Sequence, residues 1–226
     1  MQESAFETLF AWSGARRSHR LLDLATGGGF LARRFAPHVA WSLGMDLVVD
    51  MLLSARETAR DEGVDNVGFF SAVVEDLPLQ DASFDIVTTR RGPHHFADIP
   101  RALDEIRRIL RPGGLLLVED LTVPEDTGQS EWVNTFHRLI SPSHGRALSP
   151  GRWRDLLEAK GFVLEHQEVE RRSKDLGDQK QASGPEVWER LQAHLDALEP
   201  NDAAALGYRE EGPRLDTQTV LLAARV

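Results

Sequence analysis

A chain of 226 residues is long enough to bury one large α/β core. Its 26 Lys and Arg against 36 Asp and Glu leave a formal charge of −10, which repels phosphate backbones and anionic lipid and argues against a general nucleic-acid or membrane-surface binder. The absence of cysteine excludes disulfides, thiolate catalysis and cysteine-ligated zinc.

The opening segment "MQESAFETLFAW" lacks the basic-then-apolar order of a secretory signal, and no window is apolar for long enough to span a bilayer. The expectation is a cytoplasmic protein, not inserted in a membrane, with a small-molecule partner. Apolar strand-like runs then alternate with helical patterns, the sequence form of repeated βαβ units and a mainly parallel sheet. Strands are expected near Leu21–Leu24, Val39–Leu43, Val67–Ser71, Phe84–Thr88, Leu115–Glu119, Phe162–Val169 and Thr219–Ala224, with helices of ordinary length between the first five.

From about Asp98 to Leu110, Ile99, Ala102, Leu103, Ile106, Ile109 and Leu110 recur at helical spacing, with charged residues on the other face. Asp98 is placed to cap that helix, and Pro112-Gly113-Gly114 to stop it and turn into the next strand. Ser149 and Pro150 open another helix, which Gly161 ends. Residues 121–148 form a long connection with a helix in "SEWVNTFHRLI". Connections of that length usually cover a site, so this is a candidate substrate lid within a single domain over 1–226. The stretch "RRSKDLGDQKQASG" reads as a polar loop leading into a helix with Val187, Trp188, Leu191, Leu195 and Leu198 on one face; "TQTVLLAARV" then returns to the sheet.

"RLLDLATGGGF" is a strand, a glycine turn and a helix start, a device that lets backbone approach a ligand and offers it unpaired N–H groups. Gly27-x-Gly29-x-x-Ala32 formally matches the dinucleotide fingerprint, with Asp46 near the position of a ribose carboxylate. Asp23, at the end of the first strand, shifts the weight: a carboxylate in that crevice suits a cationic ligand better than a pyrophosphate.

"LLDLATGGG", "GMDLVVDML", "EDLPLQDASFDIVTTRRGPHHF" and "ALDEIRRILRPGGLLLVEDL" together resemble, in order and spacing, the motifs of class I S-adenosylmethionine-dependent methyltransferases. The likeness is to the small-molecule branch that includes the ubiquinone and menaquinone biosynthesis methyltransferases, and it covers about Leu21 to Leu121. It implies a Rossmann-like α/β fold: a doubly wound, mainly parallel seven-stranded sheet with the last strand antiparallel and helices on both faces. It implies S-adenosyl-L-methionine as cofactor. Asp23 would lie near the methionine ammonium, with the backbone of Ala25, Thr26, Gly27 and onward to Gly29 beneath the methionine and ribose. Asp46 would accept from both ribose hydroxyls, and Met45, Leu47 and Met51 would pack about the adenosine. Val74, Glu75, Asp76 and Leu77 would border adenine, and Thr89 and Arg90 the methionine end. Relatives commonly carry glycine at the position of Ala25 and an aspartate at that of Val73, and the segment before the glycine turn is short, which implies reduced helical cover over the cofactor.

Methyl transfer from a sulfonium needs alignment and exclusion of water and requires no metal. His94 and His95 follow the fourth strand at the crevice edge and are the candidate catalytic bases, or else line the pocket. Glu119 and Asp120 are a second acidic pair there, His137 and His144 lie in the presumed lid, and Arg90 with Arg91 suits an acidic substrate. The reaction expected is transfer of a methyl group to an O, C or N atom of a small organic molecule, by a protein compatible with a homodimer. The rivals are a nicotinamide-dependent oxidoreductase and a non-catalytic adenosyl-cofactor-binding module. Against the first, the only tyrosine, Tyr208, has Gly212 four residues on, so no Tyr-x-x-x-Lys dyad exists.

Overall fold

A computed structural model describes residues 2–209 and 214–226. Seven strands form one sheet in the order β3-β2-β1-β4-β5-β7-β6: β1 Arg20–Leu24, β2 Trp41–Asp46, β3 Val67–Ser71, β4 Phe84–Arg90, β5 Leu110–Thr122, β6 Val163–Asp175 and β7 Arg214–Arg225. The first five pair in parallel, and β7 runs antiparallel to both β5 and β6. This is the expected doubly wound α/β fold with an antiparallel last strand.

Strand alternation sends side chains to two covered faces. Leu21, Ile86, Leu115 and Leu117 meet Phe6 and Leu9 of α1 (Gln2–Ser13) and Leu31 and Phe35 of α2 (Phe30–Phe35). On the same side α3 (Val49–Asp61) packs Leu52, Ala55 and Ala59 against Phe69. Leu22, Leu24, Leu116 and Val118 meet α4 (Ile99–Ile109) and α6 (Pro150–Ala159) on the other. Asp98 and Ser149 cap these two helices as expected, accepting from the N–H of Arg101 and Arg152, and Gly161 takes φ 76° beyond α6.

Several expected boundaries shift. The second strand starts at Trp41, because Val39 closes a 3-10 turn over Ala36–His38. Not every early connection is an ordinary helix: α2 has six residues, cut short where Pro37 enters that turn, and a turn bridged by Val73 and Asp76 joins β3 to β4. Pro112-Gly113-Gly114 lies within β5 as an irregularity, where the register with β4 shifts between Phe84 and Ile86.

The largest difference is the polar stretch read as a loop. Arg171 to Asp175 continue β6, paired with β7 from Arg171↔Gln218 to Asp175↔Arg214, and Leu176–Ser183 form α7. As an edge strand β6 is exposed over most of its length, so its sequence carries no apolar alternation. Residues 121–148 hold α5 (Thr127–Ile140), capped by Asp126. With α7, α8 (Pro185–Asp196) and α9 (Pro200–Ala205), α5 builds a separate apolar cluster in which Val133 and Phe136 meet Leu176, Leu191, Leu195, Leu206 and Leu215. Among the described residues no helix is long and apolar enough to cross a membrane.

Candidate active site

The strand order reverses between β1 and β4, and outside the carboxyl ends of these strands and β2 lies a cavity of about 840 Å³. Open α/β sheets bind their ligands at such switch points. Asp23, Ala25, Thr26, Gly27, Met45, Asp46, Leu47, Met51, Val74, Glu75, Arg90 and His95 all line it. Val73, Arg91 and Ser143 join them.

Asp23 is buried at 2% exposure. Its Oδ2 accepts from the Thr26 hydroxyl at 2.6 Å and its Oδ1 from the Thr88 hydroxyl at 2.8 Å. Burial pushes its carboxyl up to about 6, against the opposing pull of those two hydrogen bonds and of Arg90. A carboxylate so short of water favours a cation beside it.

The glycine turn folds around Asp46. Its Oδ2 accepts from Gly27 N–H at 2.7 Å and its Oδ1 from Val48 N–H at 2.9 Å, tying the first crossover to the second. Each carboxylate oxygen retains a further acceptor position toward the cavity. The three glycines divide the work. Gly27 and Gly28 face the cavity; Gly29 does not. A Cβ on Gly29 would stand 2.8 Å from the Phe69 ring and 3.0 Å from the Ala55 methyl, so this glycine lets α2 close against β3 and α3.

Three further residues expected at the cofactor site lie outside the cavity wall. Thr89 shares the Val87 side of β4 and lines a small apolar space with Phe96, Ile99 and Trp153, because Ile86, Thr88 and Arg90 alternate onto the Asp23 side. Leu77 is core, and its N–H donates to Glu105. Asp76 is solvent-exposed beyond the turn. Val74 and Glu75 remain in the wall, and Glu75 accepts from Asp98 N–H at 3.1 Å.

The adjacent histidines keep their rings in contact, 4.0 Å between centroids, but take different partners. His94 is buried, its N–H donating to Asp120 Oδ2 at 2.9 Å and its Nδ1 lying 2.5 Å from Asp120 Oδ1. Its carbonyl accepts from Gly145 and Arg146 N–H, so it fastens the 143–147 loop to the end of β5. His95 faces the cavity. Its Nδ1 sits 2.9 Å from the Ser143 carbonyl, which can only accept; the proton is therefore on Nδ1, and Nε2 keeps its lone pair in the neutral ring. His137 and His144 are driven down to about 3 and about 4, first by burial and then by neighbouring histidines, which keeps them neutral. His144 Nε2 donates to Asn134 Oδ1, whose amide also anchors Ala147.

Thr88, Ser143 and Phe30 are among the site residues that the sequence alone did not mark. The strand parity of Ile86, Thr88 and Arg90 was a usable signal for the first; no sequence signal marks Ser143.

Comparison with known proteins bears on the family and the fold. Residues 22–118 match the family model described as a methyltransferase domain. The chain is 38% identical over 156 residues to the uncharacterized methyltransferase YcgJ of Bacillus subtilis, covering 69% of this chain and 61% of that protein. It is 35% identical over 153 residues to the ubiquinone/menaquinone biosynthesis C-methyltransferase UbiE of Pectobacterium atrosepticum, covering 65% and 61%. The matches thus span about three-fifths of the length of these curated relatives. The crystal structure of the Bacillus YcgJ protein superposes with a TM-score of 0.90 at 27% identity, over 99% of this chain and 98% of that one.

Proposed function

Because the chain belongs to the class I S-adenosylmethionine-dependent methyltransferases, we propose that it moves a methyl group from S-adenosylmethionine to an O, C or N atom of a small organic molecule, by in-line displacement. The observation that carries this reading is one cavity with two carboxylates, Asp23 and Asp46, at the ends of adjacent parallel strands, and Arg90 on the same wall.

These residues fit the cofactor's polar groups. The buried Asp23 carboxylate suits an ammonium, and Arg90, close enough to lower the Asp23 pKa, suits the carboxylate of the same amino acid. Asp46 keeps acceptor positions for two ribose hydroxyls. Met45, Leu47, Met51 and Val74 supply apolar surface for the adenosine, while Val73, half exposed, offers adenine no hydrogen-bond acceptor from its side chain. When bound, the cofactor supplies a methyl group already carried by a good leaving group. The protein's part is to align the acceptor, exclude water and, for an acidic O–H or N–H, take a proton. His95 Nε2 is the base for that step. His94 positions the loop that carries Ser143, and with it the His95 ring. Residues 121–148 act as the acceptor-side cover through this loop, and the surrounding helices brace them. The C-methyltransferase relatives make carbon an acceptor atom to screen early, and the protein would do this work in the cytoplasm.

Titration calorimetry with S-adenosylmethionine, S-adenosylhomocysteine and NAD, repeated on Asp46→Ala, tests the reading. The adenosyl ligands are expected to bind and to weaken by about 1–3 kcal/mol in the variant, as when a buried acceptor is lost. NAD binding without adenosyl binding would move the protein to the oxidoreductases. Adenosyl binding with no methyl loss to any acceptor would leave a non-catalytic module.

A further inference from the structure

Arg90 and Arg91 leave β4 side by side, both in the cavity wall. Arg91 turns into the left-handed region at φ 52°, with its N–H donating to the Glu119 carbonyl at 2.7 Å. The two guanidiniums converge on one carboxylate: Arg90 Nη1 is 3.7 Å from Glu119 Oε2, and Arg91 Nε is 3.8 Å from Glu119 Oε1. Neither distance is a hydrogen bond. Among the described residues no acceptor takes a hydrogen bond from either guanidinium, and Glu119 Oε2 is buried without a hydrogen-bond partner. Arg108 shows the contrast, its guanidinium bonded to Glu105, Asp81 and the carbonyls of Leu77 and Leu79.

Arg90 is shared between Glu119 and the buried Asp23, which leaves Arg91 with a single long contact to Glu119 and a guanidinium that donates no hydrogen bond. The arginines face different work. Arg90 lies over the Phe30 ring, 5.2 Å from its centroid, with a side chain only 16% exposed, on the Asp23 side. Arg91 is half exposed, and together with burial it depresses the Lys174 ammonium from the β6 edge, outweighing Asp178. Like charges held near each other beside a cavity are relieved by an anion.

We propose that Arg91 is the recognition residue for the methyl acceptor and that the acceptors are small organic acids, their carboxylate paired with its guanidinium. A planar carboxylate matches the two parallel donors of an arginine and gives orientation as well as affinity. The inference rests on the methyltransferase reading, in which Arg90 serves the cofactor and Arg91 keeps its hydrogen-bond donors for the acceptor.

The test is calorimetry on protein saturated with S-adenosylhomocysteine, with benzoate and succinate as anionic probes and benzamide as the neutral isostere of benzoate. At least one carboxylate is expected to bind and benzamide not. Arg91→Gln should raise the carboxylate Kd tenfold or more, Arg91→Lys by less, while both variants keep the wild-type affinity for S-adenosylhomocysteine, which shows an intact fold and cofactor site. Carboxylates that bind no better than benzamide, or that bind Arg91→Gln as well as wild type, overturn the proposal. Failure of S-adenosylhomocysteine to bind wild-type protein is a separate result; it removes the cofactor reading and this inference with it.

Discussion

Ala25 and Gly92 occupy one space. A Cβ on Gly92 would lie 2.6 Å from the Ala25 methyl and 2.8 Å from Thr89 Oγ1, and Ala25 itself sits at φ 50°, where an L side chain is strained. The methyl at position 25 is therefore one reason that position 92 must lack one. Gly92→Ala should destabilise the protein by about 1–3 kcal/mol through overpacking. Ala25→Gly should relieve part of that loss, because it removes both the strain and one of the clashing atoms. Urea unfolding of the two single variants and the double variant measures the coupling; equal loss from Gly92→Ala in both backgrounds would falsify the shared-space account.

The Asp23 carboxyl links pH to stability and to binding. Its folded value of about 6 lies above the ordinary 3.8, so folding favours the protonated form. This group's contribution to stability is present below about pH 4 and is lost as pH rises through about 6. At neutral pH the buried charge costs on the order of 3 kcal/mol in the ligand-free protein. Asp23→Asn should then stabilise the ligand-free protein at pH 7 while weakening S-adenosylhomocysteine. In wild type, affinity should climb toward tenfold per pH unit below about 6 and level off above it. A flat affinity profile from pH 5 to 8 would show that Asp23 does not meet the ligand's cation.

Asp120 is expected to govern the 143–147 loop from a distance. It holds the His94 N–H and ring, and the His94 carbonyl holds Gly145 and Arg146. Asp120→Asn replaces an acceptor-only group with one that presents an N–H, and losing a charge-assisted bond costs about 1.5–3 kcal/mol. Hydrogen exchange at the Gly145 and Arg146 amides should accelerate more than at the sheet amides of β4. If all amides accelerate alike, Asp120 contributes only global stability.

The central sheet was legible because buried parallel strands are continuous apolar runs and their helices carry complementary stripes, as in Ile99, Ala102, Leu103 and Ile106. The extension of β6 was not, since Arg171 to Asp175 pair through backbone on an exposed ribbon and their side chains follow no apolar period. At the site, motif order marked Asp23 and Asp46, whereas the division between His94 and His95 depends on Asp120 and Ser143, 26 and 48 residues away. Gly29 was legible as a glycine but not in its purpose, which is set by Phe69 on another strand.

Thr88 and Thr89 offer the sharpest test of the site, because neighbours in sequence face opposite sides of β4. The Thr88 hydroxyl donates to Asp23 at 2.8 Å, and a donor to a carboxylate stabilises its ionised form. Thr88→Val keeps the shape and removes that donor, which is worth about 1.5–3 kcal/mol toward a charged group. The midpoint of the pH dependence of S-adenosylhomocysteine binding should therefore move upward by about one to two pH units. The Thr89 hydroxyl is buried among apolar side chains with no hydrogen-bond partner among the described residues. Thr89→Val should leave the midpoint where it is and hold or raise stability, since it deletes an unsatisfied buried group. Binding profiles of the two variants, set beside their urea midpoints, decide the matter. A shift with Thr89→Val, or none with Thr88→Val, would mean that Asp23 takes its proton affinity from something other than the hydroxyl that faces it.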